Sequence, residues 1–408
     1  MAKYTGKQDK SAILKKVNQS LNGISCGITG IPLEVAEVLS TFIEFSDEIA
    51  AIEYIGIITK ALSSMCSKPL NDDEVIKAIS AVERTYLQRE VNEYTVITSI
   101  SISKMNAPIK WKTNRCVITL NSKIPKNTQT IRDDLLKEKC LPSYLSPHHY
   151  ANISVKVQAR SAFKAAEIAF EELSFIRGML NLYLNPSMFL DDPPAGTKRP
   201  YNEITLGPTH TIHKKDGNLA TETFWCEFDY IERDAYDAGN TNFGKAIEFS
   251  RKIIKRCKKS KYEAKIKEGI SRYCNALDSL DAQVSFQKLW SVAEFLTDSS
   301  MQNNEIAIKR IASLYKEKDY TAAVLNHIRV TRNRCIHAGF NPENMYSIMN
   351  RLRAIIEDLI IFIIRNITIF KKYDDIIYFF EAAHLPVNEI ERRLYITKKV
   401  LAIKNSST

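Results

Sequence analysis

Apolar positions recur along the chain with two different periods. Ile31–Val38 opens an amphipathic helical stretch, and residues 72–87 repeat apolar side chains at helical spacing, with Asn71 placed to cap them. From Tyr94 the pattern changes. Residues 94–102 and 116–120 are β-branched with partial alternation, and 151–157 alternates with a clear period of two, so these segments predict strands. A helix follows at about 161–184, with Ala165, Ala166, Ile168, Ala169, Leu173 and Ile176 as its apolar stripe. Pro186 and the Asp191–Gly196 cluster end it in a predicted exposed loop. Residues 201–207 and 222–230 predict two further strands around a turn at Lys214–Asn218.

Beyond about Asp234 the strand pattern disappears. Helical spacing takes over at about 242–257, 261–280, 283–298, 304–317, 320–338 and 343–370, with a weaker helix near 388–401. The expected fold class is therefore an α+β N-terminal domain, residues 1–240, followed by an all-α helical bundle, 241–408. A further split near residue 90 would divide the first part into two subdomains. A length of 408 residues agrees, since it exceeds one ordinary core.

Composition narrows the class. With 45% hydrophobic and 25% charged residues, the chain reads as a globular protein rather than a disordered one. Met1–Lys7 runs into polar residues, so no secretory leader is expected. The most apolar run, Leu359–Ile364, is bracketed by Glu357, Asp358 and Arg365 and is too short to span a bilayer. The 8 cysteines form no C-x-x-C pair, which points to reduced thiols, a cytoplasmic location and no structural zinc or other cofactor. A net charge of +10 fits a polyanionic partner such as RNA. The densest basic run is 251–261. Its Lys255, Lys258 and Lys259 either track a nucleic-acid backbone or form a solvated helix face. His210 and His213 have a spacing that can hold a metal but lack cysteine or carboxylate companions. Trp290 falls on an apolar stripe with Phe286, Leu289, Ala293 and Leu296, which places it in a core.

The chemistry concentrates at the end of the predicted helix 320–338. Gly339 suits a left-handed C-terminal cap, and Asn341-Pro342 suits the start of the next helix. His337 then lies in the last turn, where the helix dipole favours its cation. Asn333, four residues earlier, shares its face and can orient the imidazole. Arg332 lies about 140° around the helix from His337, so one helix does not easily aim both at one phosphate ester. A second copy across a two-fold axis solves this. Histidine can move the protons of ribose 2′-OH attack without metal, and arginine supplies donors to the phosphate oxygens. Arg329 and Arg334 flank the motif and are further candidates for phosphate contact. The bland alternative is surface ion pairing plus a histidine cap.

Arg332-Asn333-x-x-x-His337 resembles the R-N-x-x-x-H signature of HEPN domains, and Ala276–Leu296, with its Leu-Trp-x-x-x-Glu-x-Leu rhythm, resembles the helix before that motif in the Apea-like branch. The likeness is most specific over 262–370, is vague at 151–235 and is absent before that. The resemblance implies a dimerising, metal-independent endoribonuclease with a composite site, commonly a toxin in bacterial defence against phage. It implies Arg332 as the phosphate-contacting residue, His337 as acid and base, Asn333 as the orienting group and Glu294 as a supporting acid near Arg332. The N-terminal part is then expected to sense a phage-derived trigger or to restrain the nuclease. A non-catalytic dimerisation and interaction module is the alternative.

Overall fold

Short amphipathic segments at the N terminus close a small core of their own. The computed structural model describes residues 2–4, 33–65, 72–139, 147–185, 199–227, 229–299, 304–340 and 342–406. In it, helices α1 (Leu33–Ser40), α2 (Tyr54–Ser63) and α3 (Asp72–Leu87) pack with a two-stranded pair, β1 (Lys3–Tyr4) and β2 (Ile43–Glu44). Leu39, Ile57, Ile58, Leu62, Val75 and Ile79 form the centre of this cluster. Its polar pin is Glu83, fully buried on α3, which accepts the backbone N–H groups of Ser46 and Ala2.

The β-branched runs pair into one antiparallel sheet. Strand β3 (Asn92–Ser103) sets Val96 opposite Val155 and Thr98 opposite Ile153 of β6 (Tyr150–Ala159). Strands β4 (Ile109–Lys112), β5 (Cys116–Leu120), β7 (Thr209–Lys214) and β8 (Trp225–Cys226) complete the order β4-β5-β6-β3-β7-β8. Seven consecutive residues of β3, Val96–Ile102, are buried, which requires cover on both faces of the sheet. Helix α4 (Lys126–Lys139) contributes to one cover, with Arg132 donating to Thr209 of β7. The other is α5 (Ala162–Leu184), whose Phe170 meets His210 of β7 edge-on. Polar contacts join the N-terminal cluster to this part: Glu48 to Arg160, Glu53 to Ser161, and Glu167 to the Ala51 N–H.

Helix α5 has no free face in its second half. Residues Glu172–Asn181 are all buried, because the side turned from the sheet packs on α6 (Thr241–Cys257) and α7 (Glu263–Leu277). Gly178 permits the approach to α7. A Cβ there would stand 2.6 Å from Ile270 Cγ2 and 2.7 Å from the Ile270 carbonyl oxygen. Helix α8 (Ala282–Leu296) packs on α7, and α11 (Met345–Arg365) packs on α8. Helices α9 (Asn304–Ala312), α10 (Lys318–Ala338) and α12 (Tyr373–Ala382) lie outside these, and α13 (Val387–Ser406) is exposed on every side over residues 391–405. A single apolar core runs from Val96 in the sheet to Phe380 in α12. No described helix is long and apolar enough to cross a membrane.

A polar knot ties sheet, α5 and bundle together. Arg177 of α5, with 4% of its side chain exposed, forms two parallel hydrogen bonds to Asp278 at 3.0 and 2.8 Å. Burial alone would lower the pKa of this guanidinium, but the Asp278 carboxylate outweighs it and holds the group charged. The fully buried Asn202 donates to Asp278 and to the Cys274 carbonyl, while Asn181 brackets Ile204 through both its amide atoms.

The strand-to-helix change falls near residue 240 as the periodicity predicts, yet the apolar core passes through it. The smaller N-terminal core, by contrast, ends before residue 90. Some spans differ from expectation. Residues 201–207 form no regular strand, because Tyr201 and Asn202 bond instead to the Leu277 carbonyl, and the strand falls at Thr209–Lys214. Its Thr and His side chains are buried on both faces, which hides it from a hydrophobic pattern. The turn after it holds, with Gly217 at φ 89°. The span 343–370 also proves shorter, as α11, and α12 follows it separately. Asn71, Ile31, Pro32, Cys26, Cys66, Cys140 and the 191–196 loop lie outside the described residues.

Substituting Asp278→Ala leaves Arg177 buried without its counter-charge. The expected loss is about 3–5 kcal/mol of stability, read from urea unfolding. A loss below about 1 kcal/mol, the scale of an exposed pair, would show the knot to be dispensable.

Candidate functional site

Helix α10 carries the Arg-Asn-x-x-x-His sequence on an outer layer of the bundle. Thr321, Leu325, Ile328, Thr331 and Cys335 form its buried stripe. At its end Gly339 takes the left-handed conformation, φ 60° and ψ 22°, and its N–H returns to the Arg334 carbonyl, as the sequence predicts. Asn341 lies outside the described residues, and the next helix begins later than expected, at Met345 after Asn344. Gln283 of α8 donates to the Cys335 carbonyl at 3.4 Å and ties this helix end to the bundle.

Arg332 and His337 diverge, as their five-residue spacing requires. Arg332 is half-buried. Its Nη1 donates to Asn333 Oδ1 at 3.3 Å, and its Nε is buried without a hydrogen-bond partner among the described residues. His337 is exposed in the last turn of the helix, at the negative end of the dipole. Asn333 therefore holds the arginine, where the shared face had suggested that it would orient the imidazole. Val330 lies within about 20° of His337 around the helix and is 44% exposed, and Ile336 is 41% exposed. Neither apolar residue was singled out from the sequence, although Val330 stands out of phase with the Leu325–Ile328–Cys335 stripe.

The other expected participants take separate positions. Glu294 of α8 accepts the Trp290 indole N–H at 2.9 Å, so it engages the tryptophan one turn earlier on its own helix. Trp290 itself is fully buried, in the core as predicted. Arg329 is held by Asn326 on its own helix, and Arg334 lies over the Phe340 ring at 4.0 Å. Lys255, Lys258 and Lys259 are exposed at the end of α6, which packs on α5 and α11, and Lys258 donates to the Lys112 carbonyl. They form a solvated face on a different helix from the motif. Burial pushes the Cys335 thiol up, more than Arg334 draws it down, which leaves it a poor nucleophile.

The remaining histidine pair is structural in its contacts. His210 Nδ1 lies 2.6 Å from Thr98 Oγ1, and His213 sits between Thr211 Oγ1 and the Gly217 carbonyl, 3.0 Å from each. No group of three or more His, Cys, Asp or Glu suited to a metal occurs among the described residues. Comparison with family models, with curated proteins and with solved structures finds no match for the chain.

Burial lowers the pKa of both His210 and His213, with Glu227 opposing the effect at His210. The folded state thus takes up protons less readily than the unfolded chain, whose histidines titrate near 6.5. Their stabilising contribution is complete above that value and declines as pH falls from 6.5 toward the lower folded values. Thermal melts from pH 7.5 down to about pH 5 should show this decline, and His210→Gln should flatten it. An unchanged slope in that variant would assign the decline to other groups.

Proposed function

We propose that the chain is a metal-independent endoribonuclease whose site forms between two copies, each presenting the end of α10. The observation that carries this reading is the free imidazole of His337. It is solvent-exposed, makes no hydrogen bond among the described residues and shares its face with exposed Val330. A histidine retained for packing alone would be buried or bonded, as His210 and His213 are. Beside it, Asn333 restrains the Arg332 guanidinium, which limits the side-chain entropy lost on meeting a phosphate.

The chemistry follows from those groups. Two imidazoles facing each other across a two-fold axis supply a general base for the ribose 2′-OH and a general acid for the departing 5′-oxygen. The Arg332 donors meet the charge that builds on the non-bridging oxygens. The 2′-oxygen displaces the 5′-oxygen, leaving a 2′,3′-cyclic phosphate and a 5′-hydroxyl. The resemblance to Apea-like HEPN proteins extends this reading to a toxin of anti-phage defence, with the N-terminal part sensing a trigger or restraining cleavage. A second reading, a non-catalytic interaction module, draws support from the divergence of Arg332 and His337 on one helix and from the engagement of Glu294 by Trp290.

Cleavage of total RNA in EDTA should proceed with the wild-type chain and leave cyclic phosphate ends. His337→Ala should lower the rate roughly 100-fold or more, and expression of wild type alone should arrest bacterial growth. Equal cleavage by the variant would remove His337 from the site. Light scattering should find a dimer, and a monomer that cleaves would overturn the shared site. RNA left intact by a well-folded dimer would favour the interaction module.

A further inference from the structure

Helix α13 carries an apolar surface that the rest of the chain leaves in solvent. Every residue from 390 to 405 is exposed, with Leu394 and Leu401 at 53% and 54%. Scattered apolar residues are ordinary on a protein surface, but a continuous stripe is not. Val387, Ile390, Leu394, Thr397 and Leu401 form such a stripe. Their spacings alternate between three and four, the repeat that holds one face of a helix against a neighbouring helix. Thr397 suits the seam, because its hydroxyl donates to the Arg393 carbonyl at 2.8 Å and leaves the methyl group for the contact.

The charges beside the stripe select its occupant. Glu389 is engaged by Arg392 and Arg393, and Lys399 lies over the Tyr395 ring. Glu391 and Lys398 form no ion pair among the described residues, and neither has a charged residue three or four positions away on its own helix. They flank the stripe on the same side, seven residues apart. When two such helices run antiparallel, Ile390 of one layers on Leu401 of the other and Leu394 on Thr397. That register sets each Glu391 beside the Lys398 of the second copy, and on the other flank Arg393 meets Val400. A parallel pair would instead oppose Arg393 and Lys398, like charges, on both sides. We propose that α13 is a self-association surface that pairs antiparallel with α13 of a second copy of the chain. A contact about 30 Å long belongs with the weak interfaces, so the expected Kd is about 1–100 µM. The pairing stands apart from the ribonuclease reading, since none of its residues lies on α10.

Sedimentation velocity of the full chain, from about 1 µM to several hundred micromolar, tests the assignment. Leu394→Gln keeps a good helix former in a solvent-exposed position. It should weaken association roughly 100-fold or more, because the residue enters two layers of the pair. Where the α10 ends pair as well, the same change takes a larger assembly down to the dimer. Glu391→Lys and Lys398→Glu should each weaken association about three- to tenfold, and the two together should restore it. Residues seven apart do not meet on one helix, so that rescue has to come from the second copy. Circular dichroism of each variant should match the wild type. The readout is size alone, so a failure of the ribonuclease reading leaves it intact, and His337→Ala should sediment as the wild type does. Association unchanged by Leu394→Gln, or no rescue in the double variant, would overturn the proposal. So would a chain that stays monomeric throughout the range. A monomer that binds phosphatidylserine vesicles, and loses that binding with Leu394→Gln, would make α13 a membrane-surface helix instead.

Discussion

The bidentate contact between Arg177 and Asp278 is the constraint around which the architecture is arranged. Helix α5 is buried on both sides through its second half, so it can carry a charge there only if a counter-charge meets it directly. Asp278 supplies this charge from the end of α7, and Asn202 and Asn181 spend the remaining donors on backbone carbonyls. The same contacts fix where the chain runs between α5 and β7. They draw residues 201–204 away from a regular strand and onto the end of α7. An apolar helix of equal length would pack as well but would not dictate this register.

How much of this was legible in the sequence depended on periodicity. The long helix at 162–184, the central strands and the helices after residue 240 follow from spacing alone, because each has a pattern longer than its end effects. Strand β7 was misplaced because Thr209, Thr211 and His213 are polar yet buried, and burial of polar side chains leaves no hydrophobic trace. Helix α4 escaped notice because its core contacts include Thr128 and Arg132. The continuity of the core across residue 240 was equally hidden, since a one-dimensional pattern reveals that α5 has an apolar stripe but not that it has two neighbours.

At the α10 terminus the sequence was informative about backbone and less so about side chains. The left-handed Gly339 and the divergence of Arg332 from His337 follow from helix geometry, and both are observed. The partners of Asn333 and Glu294 do not follow, because each side chain reaches more than one candidate and local distances choose between them. Asn333 turns to its immediate neighbour, and Glu294 turns to the indole one helical turn earlier. Restraint of the arginine and freedom of the histidine are therefore separate properties of one helix end. The first is built from within the chain, while the second leaves the imidazole in solvent.

The sharing of α5 between sheet and bundle also bears on how such a chain can be rebuilt. Leu173, Ile176, Met179 and Leu180 are each buried in the one core that the two parts have in common. A recombination event near residue 240 would hand a new partner half of that interior with no surface evolved to meet it. The N-terminal cluster stands differently, because it closes its own core and touches the rest through Glu48, Glu53 and Glu167. Polar seams of that kind tolerate exchange. The segment before residue 90 has a core of its own, whereas the sheet and the bundle share one interior.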